Sequence, residues 1–566
     1  MKIKAMALAV LIPLAAQSSA ASTDPVLTIS ITPGLIDGNA GEGVVRVTVV
    51  VPDTHVAVGQ PLFDLPTGSA LQVSDKRGAV AVSQSGVTQG DGAYVASRSV
   101  DGDMRISYMV SMQNSVSNGG TTPVFPRVDG DAFSAIGMTF FAIPRTTARY
   151  RLAIHWNLAA MGPGAIGVSS FGDGDAQAAS GPVDRLRTVA LMAGRLQREP
   201  VSGDKGKFAA VWSGSPGYDP RPTMQWAHRL HSWMVDFFHT PDDPAYRIFA
   251  RDNGGLNSGG GVAFPNSFFQ TWGPGVGAES MKGILGHEMV HTFTANDLGR
   301  WYVEGDAVYY QVQLPWRAGM VTTDQYLHDI NLTAYRYYTN LKIHSHEDEI
   351  EPAFFSDNWL NTLAYDRGAL YFAQLSGMIH HKSGGKRSID DLVRIMVRKG
   401  RNGEQISDDT WYDIIRAEIG ENAVDLTKSM LIGGVVLPDS DAYGPCFRRI
   451  GVKLRRFELG FTVDRKPAGT PVVVRALVAG SEAANAGVHD GDMIALPSLT
   501  TEGPRRDPQA MITAKVMRDG RTFPVTWSPR GEAIDGYQWE RVPDVPDSAC
   551  RPADSARPVG ENQRGL

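Results

Sequence analysis

The sequence predicts a multidomain α+β fold, with a β-sandwich-like N-terminal region, a mostly helical middle and a small β-barrel module near the C-terminus. Three observations carry this prediction. Short runs with period-two alternation fill the first part of the chain and return near its end. The middle shows helical periodicity, with cap residues at helix starts and glycines at helix ends. The 566 residues suffice for roughly three or four domains.

The first 21 residues resemble an export signal. Lys2 and Lys4 precede the apolar core AMALAVLIPLAA, which a small-residue site, SSAA, follows. We therefore predict a signal peptide over residues 1–21 and an exported protein, either periplasmic or secreted. No later apolar run has the length of a transmembrane segment. A net charge of −6 is small for this length and argues against a nucleic-acid partner.

Residues 22–200 are predicted to form the N-terminal β-rich domain. Asp-Gly pairs, which favour tight turns, separate its strand-like runs. Nothing in this region is typical of a catalytic site, and we interpret the lone His55 and His155 as structural. The clearest strand runs are VLTISITP, VVRVTVVVP, MRISYMVSMQ, MTFFAIP and YRLAIHWNL.

Residues 201–440 are predicted to form a second, mostly helical domain. KFAAVWSG and AYRIFARD are strand-like, whereas TMQWAHRLHSWMVDFFH has a helical period. Later helices have cap-like starts at Thr323, Ser388 and Ser407. Several histidines of this region are interpreted as packed, solvated or helix-terminal rather than metal-binding, namely His228, His231, His344, His346, His380 and His381.

Residues 446–550 are predicted to form a compact β-barrel, because a strand, a small-residue turn, one short helix and a G-D-x-I strand follow in that order. The polar, Pro/Gly-rich residues 551–566 are predicted to be disordered. Cys446 and Cys550 are the only cysteines. In an oxidising compartment we expect them to form a disulfide that fastens the ends of this module, and the alternative is two buried free thiols.

The segment ILGHEMVHTFTANDLGRWYVE carries the clearest chemical signal. His287 and His291 are four residues apart, so on a helix they share one face and can bind one zinc ion. Glu288 beside the first histidine is placed to act as a general base toward a water molecule. H-E-x-x-H arises by chance in roughly 1 in 100 sequences of this composition. The alternative is a surface helix with two unrelated histidines, but apolar neighbours favour a buried helix, and we expect Gly299 to end it.

A zinc site needs a third protein ligand. Asp297 would face away from the histidines on the same helix. Glu304 lies roughly one turn into the next helix and returns to the level of the histidines if the two helices pack antiparallel. We therefore predict Glu304 as the third ligand, with Asp306 as a distant second choice.

This motif, followed by the segment WYVEGDAVYY, resembles the gluzincin zinc metallopeptidases, and the similarity is greatest to the glycyl aminopeptidase family. That family has a PDZ domain near its C-terminus. The AYDRG segment at 364–368 resembles its Tyr-x-Lys/Arg-Gly helix start, and Gly254-Gly255-Leu256 resembles its substrate-edge loop. The PDZ-like motifs are ELGF at 458–461, GS-x-A-x-x-AG from Gly480 and GD-x-I from Gly491.

The resemblance implies a thermolysin-like, mostly helical catalytic domain with one zinc ion per chain. It further implies that Tyr365 stabilises the oxyanion, that residues 254–257 contact substrate, and that Leu459, Gly460 and Phe461 bind a C-terminal peptide. This sequence departs from the family at Asn257, where the family has a glutamate that holds the substrate amine. Aminopeptidase and endopeptidase action therefore both remain open, and Glu279 is one candidate for a different amine anchor.

Two functions follow from these motifs. The first is an exported zinc metallopeptidase, aminopeptidase-like, with a PDZ domain that recruits a substrate or partner. The alternative is a catalytically inactive PDZ adaptor that retains the peptidase fold and binds protein C-termini. Zinc content and chelator-sensitive cleavage distinguish the two.

Overall fold

The computed structural model describes residues 24–37, 42–85, 93–113, 125–201, 208–240, 245–253, 260–273, 276–294, 296, 298–464, 471–495, 499 and 501–551. The predicted signal peptide, the substrate-loop residues 254–257 and residues 552–566 of the predicted tail lie outside these ranges. The chain divides into two compact units, Met1–Thr292 and Phe293–Leu566. No helix of the described ranges combines the length and apolar character needed to span a membrane.

The N-terminal part of the first unit is β-rich, as predicted. Its sheets have the strand orders β15-β12-β1-β2-β8-β4-β5, β14-β13-β16-β10-β9 and β11-β3-β7-β6, and one apolar core joins them. The strands are β1 (Val26–Asp37), β2 (Glu42–Val56), β3 (Pro61–Asp64), β4 (Ser69–Asp75), β5 (Gly78–Val80), β6 (Val82–Ser85), β7 (Ala93–Ala96), β8 (Val100–Gln113), β9 (Arg127–Asp129), β10 (Ala132–Ile136), β11 (Ile143–Pro144), β12 (Arg149–Trp156), β13 (Ile166–Ser169), β14 (Gly172–Asp173), β15 (Ala176–Pro182) and β16 (Ala190–Gly194).

The segment MTFFAIP is not the predicted strand. Its first part lies in a helical turn, α1 (Gly137–Phe140), and only Ile143–Pro144 forms a strand. A Cβ on Gly137 would lie 1.7 Å from the Leu186 carbonyl oxygen, so this backbone approaches its neighbour closely. Phe140 and Phe141 are both fully buried. Packing in three dimensions therefore overrides the local strand propensity.

The rest of the first unit contains a mixed sheet and two helices. The sheet has the order β17-β18-β19-β21-β20; β18, β19 and β21 are parallel, and the outer strands β17 and β20 are antiparallel to them. The strand that follows the Gly-rich stretch, β20, is an edge strand of this sheet. The elements are β17 (Gln197–Glu199), β18 (Phe208–Trp212), α2 (Arg221–Phe237), β19 (Tyr246–Asp252), β20 (Gly260–Phe264), β21 (Ser267–Trp272) and α3 (Ala278–Thr294), and the boundary between the units falls inside α3.

The second unit begins with helices. Thr322, rather than the predicted Thr323, caps α5, since its side chain accepts a hydrogen bond from the Gln325 N–H. Ser388 and Ser407 cap α8 and α9 as predicted. The helices are α4 (Gly299–Arg317), α5 (Thr323–Tyr338), α6 (Glu347–Ala353), α7 (Asn358–Ser383), α8 (Ile389–Arg401), α9 (Asp408–Glu418) and α10 (Glu421–Leu431).

A second β-rich module follows these helices. A long ladder pairs β22 with β28, and a separate sheet has the order β23-β24-β25-β26-β27 around its own apolar core. The predicted barrel is not closed within the described residues, because β23 and β27 are edge strands. The described part of the module has three short helices where one was predicted. The elements are β22 (Phe447–Phe457), β23 (Thr462–Val463), β24 (Val472–Arg475), α11 (Glu482–Asn485), β25 (Met493–Ile494), α12 (Glu502–Arg506), β26 (Ile512–Arg518), β27 (Arg521–Trp527), β28 (Arg530–Arg541) and α13 (Asp547–Cys550).

The predicted disulfide is present. Cys446 immediately precedes β22 and Cys550 ends α13, and the bond joins them across 104 residues of sequence. Both cysteines are buried. The bond therefore fastens the two ends of the module, which was the structural reason for predicting it.

Candidate metal centre

Helix α3 presents both motif histidines from one face. Its apolar residues Met281, Leu285 and Met289 are fully buried, so the helix is part of a core rather than a surface element. The Nε2 atoms of His287 and His291 are 3.0 Å apart, and their rings are perpendicular. Two nitrogens on one tetrahedral zinc ion would be separated by about 3.3 Å. The imidazoles are thus arranged as a metal-binding pair.

The turn after α3 differs from the prediction. Gly299 does not end this helix but is the first residue of α4, since α3 already ends at Thr294. Asn296 makes the turn: its side-chain amide donates to the Thr294 carbonyl, and its oxygen accepts from the Leu298 N–H. Asn and Asp favour such local turns because their short side chains bond to the nearby backbone.

Glu304 completes the group. One carboxylate oxygen of Glu304 and one ring nitrogen from each of His287 and His291 all lie within 4.8 Å of one another. Glu304 is 6% exposed and His287 is 8% exposed. Two imidazoles and one carboxylate form a donor set that suits zinc and leave a fourth position for another ligand. Asp306, the second choice, is fully buried and does not belong to this group.

Burial dominates the ionisation of Asp306. It raises the pKa of this carboxyl well above its usual value, although a hydrogen bond with Thr294 opposes the shift. The negative charge of Glu304 raises the pKa further. A raised pKa disfavours the ionised form that a metal ligand needs, which agrees with the position of Asp306 outside the group.

Glu288 lies next to the first histidine and is partly buried. Burial is the main cause that raises the pKa of the Tyr246 phenol, and the Glu288 carboxylate adds to this effect. The carboxylate therefore lies near Tyr246, the first residue of the buried strand β19.

Tyr365 lies in the second turn of α7 and is partly buried. Its ring stacks on Phe354, with centroids 5.9 Å apart and an interplanar angle of 19°. The guanidinium of Arg300 lies over the Phe354 ring, 4.4 Å from its centroid. The guanidinium is near enough to interact electrostatically with the Tyr365 phenol.

A pair of glycines lets α4 and α7 approach one another closely. A Cβ on Gly305 would lie 2.5 Å from the Gly368 Cα, and a Cβ on Gly368 would lie 2.0 Å from the Trp301 carbonyl oxygen. Only glycine fits at both positions. Because Gly305 follows Glu304 and Gly368 is three residues after Tyr365, this crossing brings together the segments that carry the two side chains. The glycine of the AYDRG segment thus has a packing role.

The sequence did not single out the contacts of Arg300. Its Nη1 donates to Glu304 at 3.3 Å, and its Nε and Nη2 donate to Glu351 at 3.0 and 3.4 Å. The four-residue spacing between Arg300 and Glu304 was a usable signal, because residues i and i+4 are neighbours on a helix. Glu351 and Phe354 had no comparable signal, since Glu351 lies in α6 and Phe354 directly follows that helix.

The remaining histidines have structural surroundings, in line with their interpretation. His228 stacks on Phe208 at 4.8 Å, and His231 is 2% exposed. His344 contacts the Gly433 carbonyl, and His381 pairs with Asp441. His346, Asp348 and Glu349 form a second group of potential ligands, but all three are exposed, and Glu349 bonds the His346 N–H as a helix cap.

Two other candidates can also be placed. Glu279, the suggested amine anchor, is 84% exposed and pairs with Lys282 at 2.6 Å in the first turn of α3. Leu459, Gly460 and Phe461 lie directly before β23, and Gly460 has a φ of +87°. The Gly460 carbonyl accepts a hydrogen bond from the Val478 N–H.

Comparison with known proteins gives the fold. No family model matches the chain, and no curated protein matches it. Among solved structures, an aminopeptidase N family protein from Idiomarina loihiensis superposes with a TM-score of 0.63 at 15% identity, over 93% of this chain and 99% of that one. The chain has the fold of that protein. An M1 zinc metallopeptidase from Deinococcus radiodurans is a weaker structural neighbour, with a TM-score of 0.45 at 16% identity, over 73% of this chain and 95% of that one.

Proposed function

We propose that the protein is a zinc metallopeptidase with one zinc ion bound by His287, His291 and Glu304. The convergence of these three side chains within 4.8 Å is the observation that carries the proposal. The ligands come from two successive helices of a fold shared with an aminopeptidase N family protein. The mixture of two nitrogens and one oxygen is a donor set typical of catalytic zinc.

The proposed chemistry is hydrolysis of a peptide bond. When bound, zinc supplies Lewis acidity toward the peptide carbonyl and a water molecule. Glu288 accepts a proton from the attacking water and delivers it to the leaving amine. Tyr365 donates a hydrogen bond to the carbonyl oxygen as that oxygen becomes negative, a contribution of roughly 3 kcal/mol.

Substitution of the base tests this proposal. We expect Glu288→Gln to lower turnover roughly 10²- to 10⁴-fold, because the amide cannot accept the proton, while one zinc per chain remains bound. The matched control is Glu279→Gln, which removes an exposed carboxylate from the same helix and should leave turnover unchanged. Elemental analysis and cleavage of a peptide library, with and without a chelator, give both readouts. Full activity in Glu288→Gln would reject Glu288 as the base. Zinc-free protein that cleaves no peptide would reject the whole proposal and favour the inactive adaptor.

The finer proposal is an aminopeptidase-like enzyme similar to the glycyl aminopeptidase family. The zinc motif, the AYDRG segment and the shared fold support it, whereas Asn257 lacks the charge that would hold a substrate amine. Glu279 is an unsuitable substitute because it is highly exposed and already pairs with Lys282. Terminal sequencing of library products distinguishes removal of N-terminal residues from internal cleavage, and predominantly internal cuts would replace this proposal with an endopeptidase.

We further propose that the C-terminal β module is a PDZ-like domain that binds peptide C-termini. Strand β23 is an edge strand, and a peptide can extend a sheet at such an edge. Successive N–H groups around a residue with positive φ favour an anion such as a carboxylate, and Gly460 has a φ of +87°.

A library of peptides with free or amidated C-termini tests this module. We expect only free C-termini to bind, since an amide lacks the charge that the N–H groups would recognise. Equal binding of both forms would contradict the assignment.

We also propose export to the periplasm or the medium. The leader-like residues 1–21 and the disulfide between Cys446 and Cys550 support this location, because disulfides persist in oxidising compartments. Fractionation of cells that produce the full chain, with N-terminal sequencing of the product, tests both cleavage and export. An uncleaved cytoplasmic product would refute this proposal.

A further inference from the structure

Arg300 occupies an unusual position for a charged side chain. It lies in the first turn of α4, and its side chain is 17% exposed, against 8% for the neighbouring Glu304 side chain. Most i,i+4 ion pairs on helices are solvated and contribute little. This pair is instead largely withdrawn from water, where an arginine needs fixed partners.

Those partners come from three directions. Glu351 of α6 accepts two hydrogen bonds from one edge of the guanidinium, and Glu304 accepts one from Nη1. The Phe354 ring covers the guanidinium face at 4.4 Å. A planar cation that is bonded at its edges and stacked on its face has little freedom to rotate.

Helix α6 is itself anchored to the neighbouring helices. The Glu347 carboxylate accepts a hydrogen bond from the Trp301 N–H of α4 at 3.1 Å and pairs with Arg367 of α7. Glu347 is largely buried, and Arg367 is fully buried. Helix α6, which carries Glu351 and directly precedes Phe354, is therefore held by contacts to both α4 and α7.

We infer that Arg300 is a positioning residue, which holds Glu304 in its metal-binding orientation and, through Phe354, fixes the ring of Tyr365. This inference rests on the proposed function. A guanidinium bonded to one oxygen of Glu304 restricts the carboxylate to a single orientation. Hydrogen-bond partners of metal ligands tune affinity in this way, and their loss typically costs about 10- to 100-fold.

The same contacts connect Arg300 to Tyr365. Phe354 contacts both groups, since the guanidinium lies over its ring and the tyrosine ring stacks on it. Loss of the cation would therefore loosen the support of Tyr365 as well as that of Glu304. One substitution should change both metal affinity and turnover, whereas an ordinary surface arginine would affect neither.

Zinc affinity of the full chain is the test, measured by competition with a fluorescent chelator. We expect Arg300→Gln to weaken zinc binding about 10- to 100-fold and to change the visible absorption of the cobalt-substituted protein. Arg300→Lys should recover part of the affinity, because an ammonium can bond Glu304 but cannot also bond Glu351 through two nitrogens. In turnover assays, Arg300→Gln should lower kcat more than it raises KM.

A matched control is available in α9. Arg416 also pairs with two carboxylates, those of Asp413 and Glu421. Among the described residues, neither carboxylate belongs to a group of potential metal ligands. Arg416→Gln should leave zinc affinity and the cobalt spectrum unchanged.

Glu351→Gln provides a second variant that does not depend on removing a buried charge. Glu351 is 63% exposed, so its substitution should preserve the fold while it loosens Arg300. We expect zinc affinity to fall about two- to tenfold. If wild type binds one zinc and both Arg300→Gln and Glu351→Gln keep its affinity within twofold and its cobalt spectrum, the inference is wrong. If wild type binds no zinc, the proposed function itself fails.

Discussion

Strand β2 and helix α4 are both built into cores, but they bury different groups. In β2, Val45, Val47 and Val49 are fully buried, while Arg46 between them is exposed. In α4, all residues from Trp301 to Tyr310 are buried, and Glu304 and Asp306 are among them. The strand follows the alternation expected of a half-buried sheet. The helix breaks the expectation that a helix buried all round is apolar.

The difference shows that the protein buries charged side chains in α4, which is unfavourable for folding, and not in this part of β2. A buried charge is unfavourable unless it is paired or binds a metal. Arg317 at the end of α4 pairs with Asp390 at 2.8 Å, and Arg300 at its start pairs with two carboxylates. Glu304 has the candidate metal site as its second partner. The buried charges of α4 thus include a candidate metal ligand, whereas the buried residues of β2 are apolar and contribute packing.

The largest effect should come from adding a methyl group at the close contact between α4 and α7. Gly368→Ala would place a Cβ 2.0 Å from the Trp301 carbonyl oxygen, so the helices must separate. We expect the free energy of unfolding to fall by about 3 kcal/mol and zinc affinity to weaken, as followed by denaturant titration and chelator competition.

Gly400→Ala is the matched control, since it also lies in a helix but its Cβ would meet nothing closer than 3.7 Å. It should stabilise the protein by about 1 kcal/mol. Equal effects of the two substitutions would show that the close crossing has no energetic importance.

The next effect concerns the metal rather than the fold. Glu304→Gln should weaken zinc binding by at least about 100-fold, because an amide is a much poorer zinc ligand than a carboxylate. The unfolding free energy of the zinc-free protein should change by less than about 1 kcal/mol, since Arg300 keeps Glu351.

Glu349→Gln is the control, because it removes a carboxylate from the exposed second group of potential ligands. One zinc per chain should remain in this variant. A loss of zinc there, with retention in Glu304→Gln, would transfer the metal site to the exposed group.

A substitution in β2 should have the opposite outcome to Glu304→Gln, with a loss of stability and no loss of zinc affinity. Val47→Ala deletes two buried methyl groups and should lower the free energy of unfolding by about 2 kcal/mol, as measured by denaturant titration. Zinc affinity and turnover of the folded fraction should stay at wild-type values. A parallel loss of zinc affinity would mean that β2 and the metal site are coupled, and would contradict the separate roles assigned to β2 and α4.

The smallest effect is a pH dependence at the end of α7. A hydrogen bond with Asp441 raises the pKa of His381, and the charges of Asp441 and Asp439 add to the shift. A histidine whose pKa is raised in the folded state adds stability that is complete below its unfolded-state pKa of about 6.5. This stability is lost as the pH rises through the higher pKa of the folded state.

Because His381 is half exposed, solvent screening should keep this contribution below about 1 kcal/mol. The difference in unfolding free energy between wild type and His381→Gln should therefore shrink between pH 6 and pH 8.5. A difference that grows with pH would contradict the assigned sign.

Much of the architecture was predictable because it depends on local pattern. The alternation in β2 and β8, the helical period of α2 and the cap residues of α8 and α9 all correspond to observed elements. The segment MTFFAIP was wrongly predicted as a strand, since the close approach of Gly137 to Leu186 is a long-range feature. The predicted barrel depended on strand pairing, which the order of motifs does not specify.

The helical spacing of His287, Glu288 and His291 was sufficient to predict them as zinc-site residues, because that spacing requires no knowledge of the rest of the fold. Glu304 required the further assumption that the next helix returns to the histidines. Arg300 could have been noticed from its spacing to Glu304, but its bonds to Glu351 depend on the placement of α6.

The sequence by itself determined which residue types lie on each face of a helix or strand, because those periodicities follow from backbone geometry. It also determined the cysteine pair, since only two cysteines are present. Only the tertiary structure decided that Gly305 faces Gly368 and that Arg300 lies between Glu304 and Glu351. Such contacts join residues that are distant in sequence, and their distances follow from how whole helices pack.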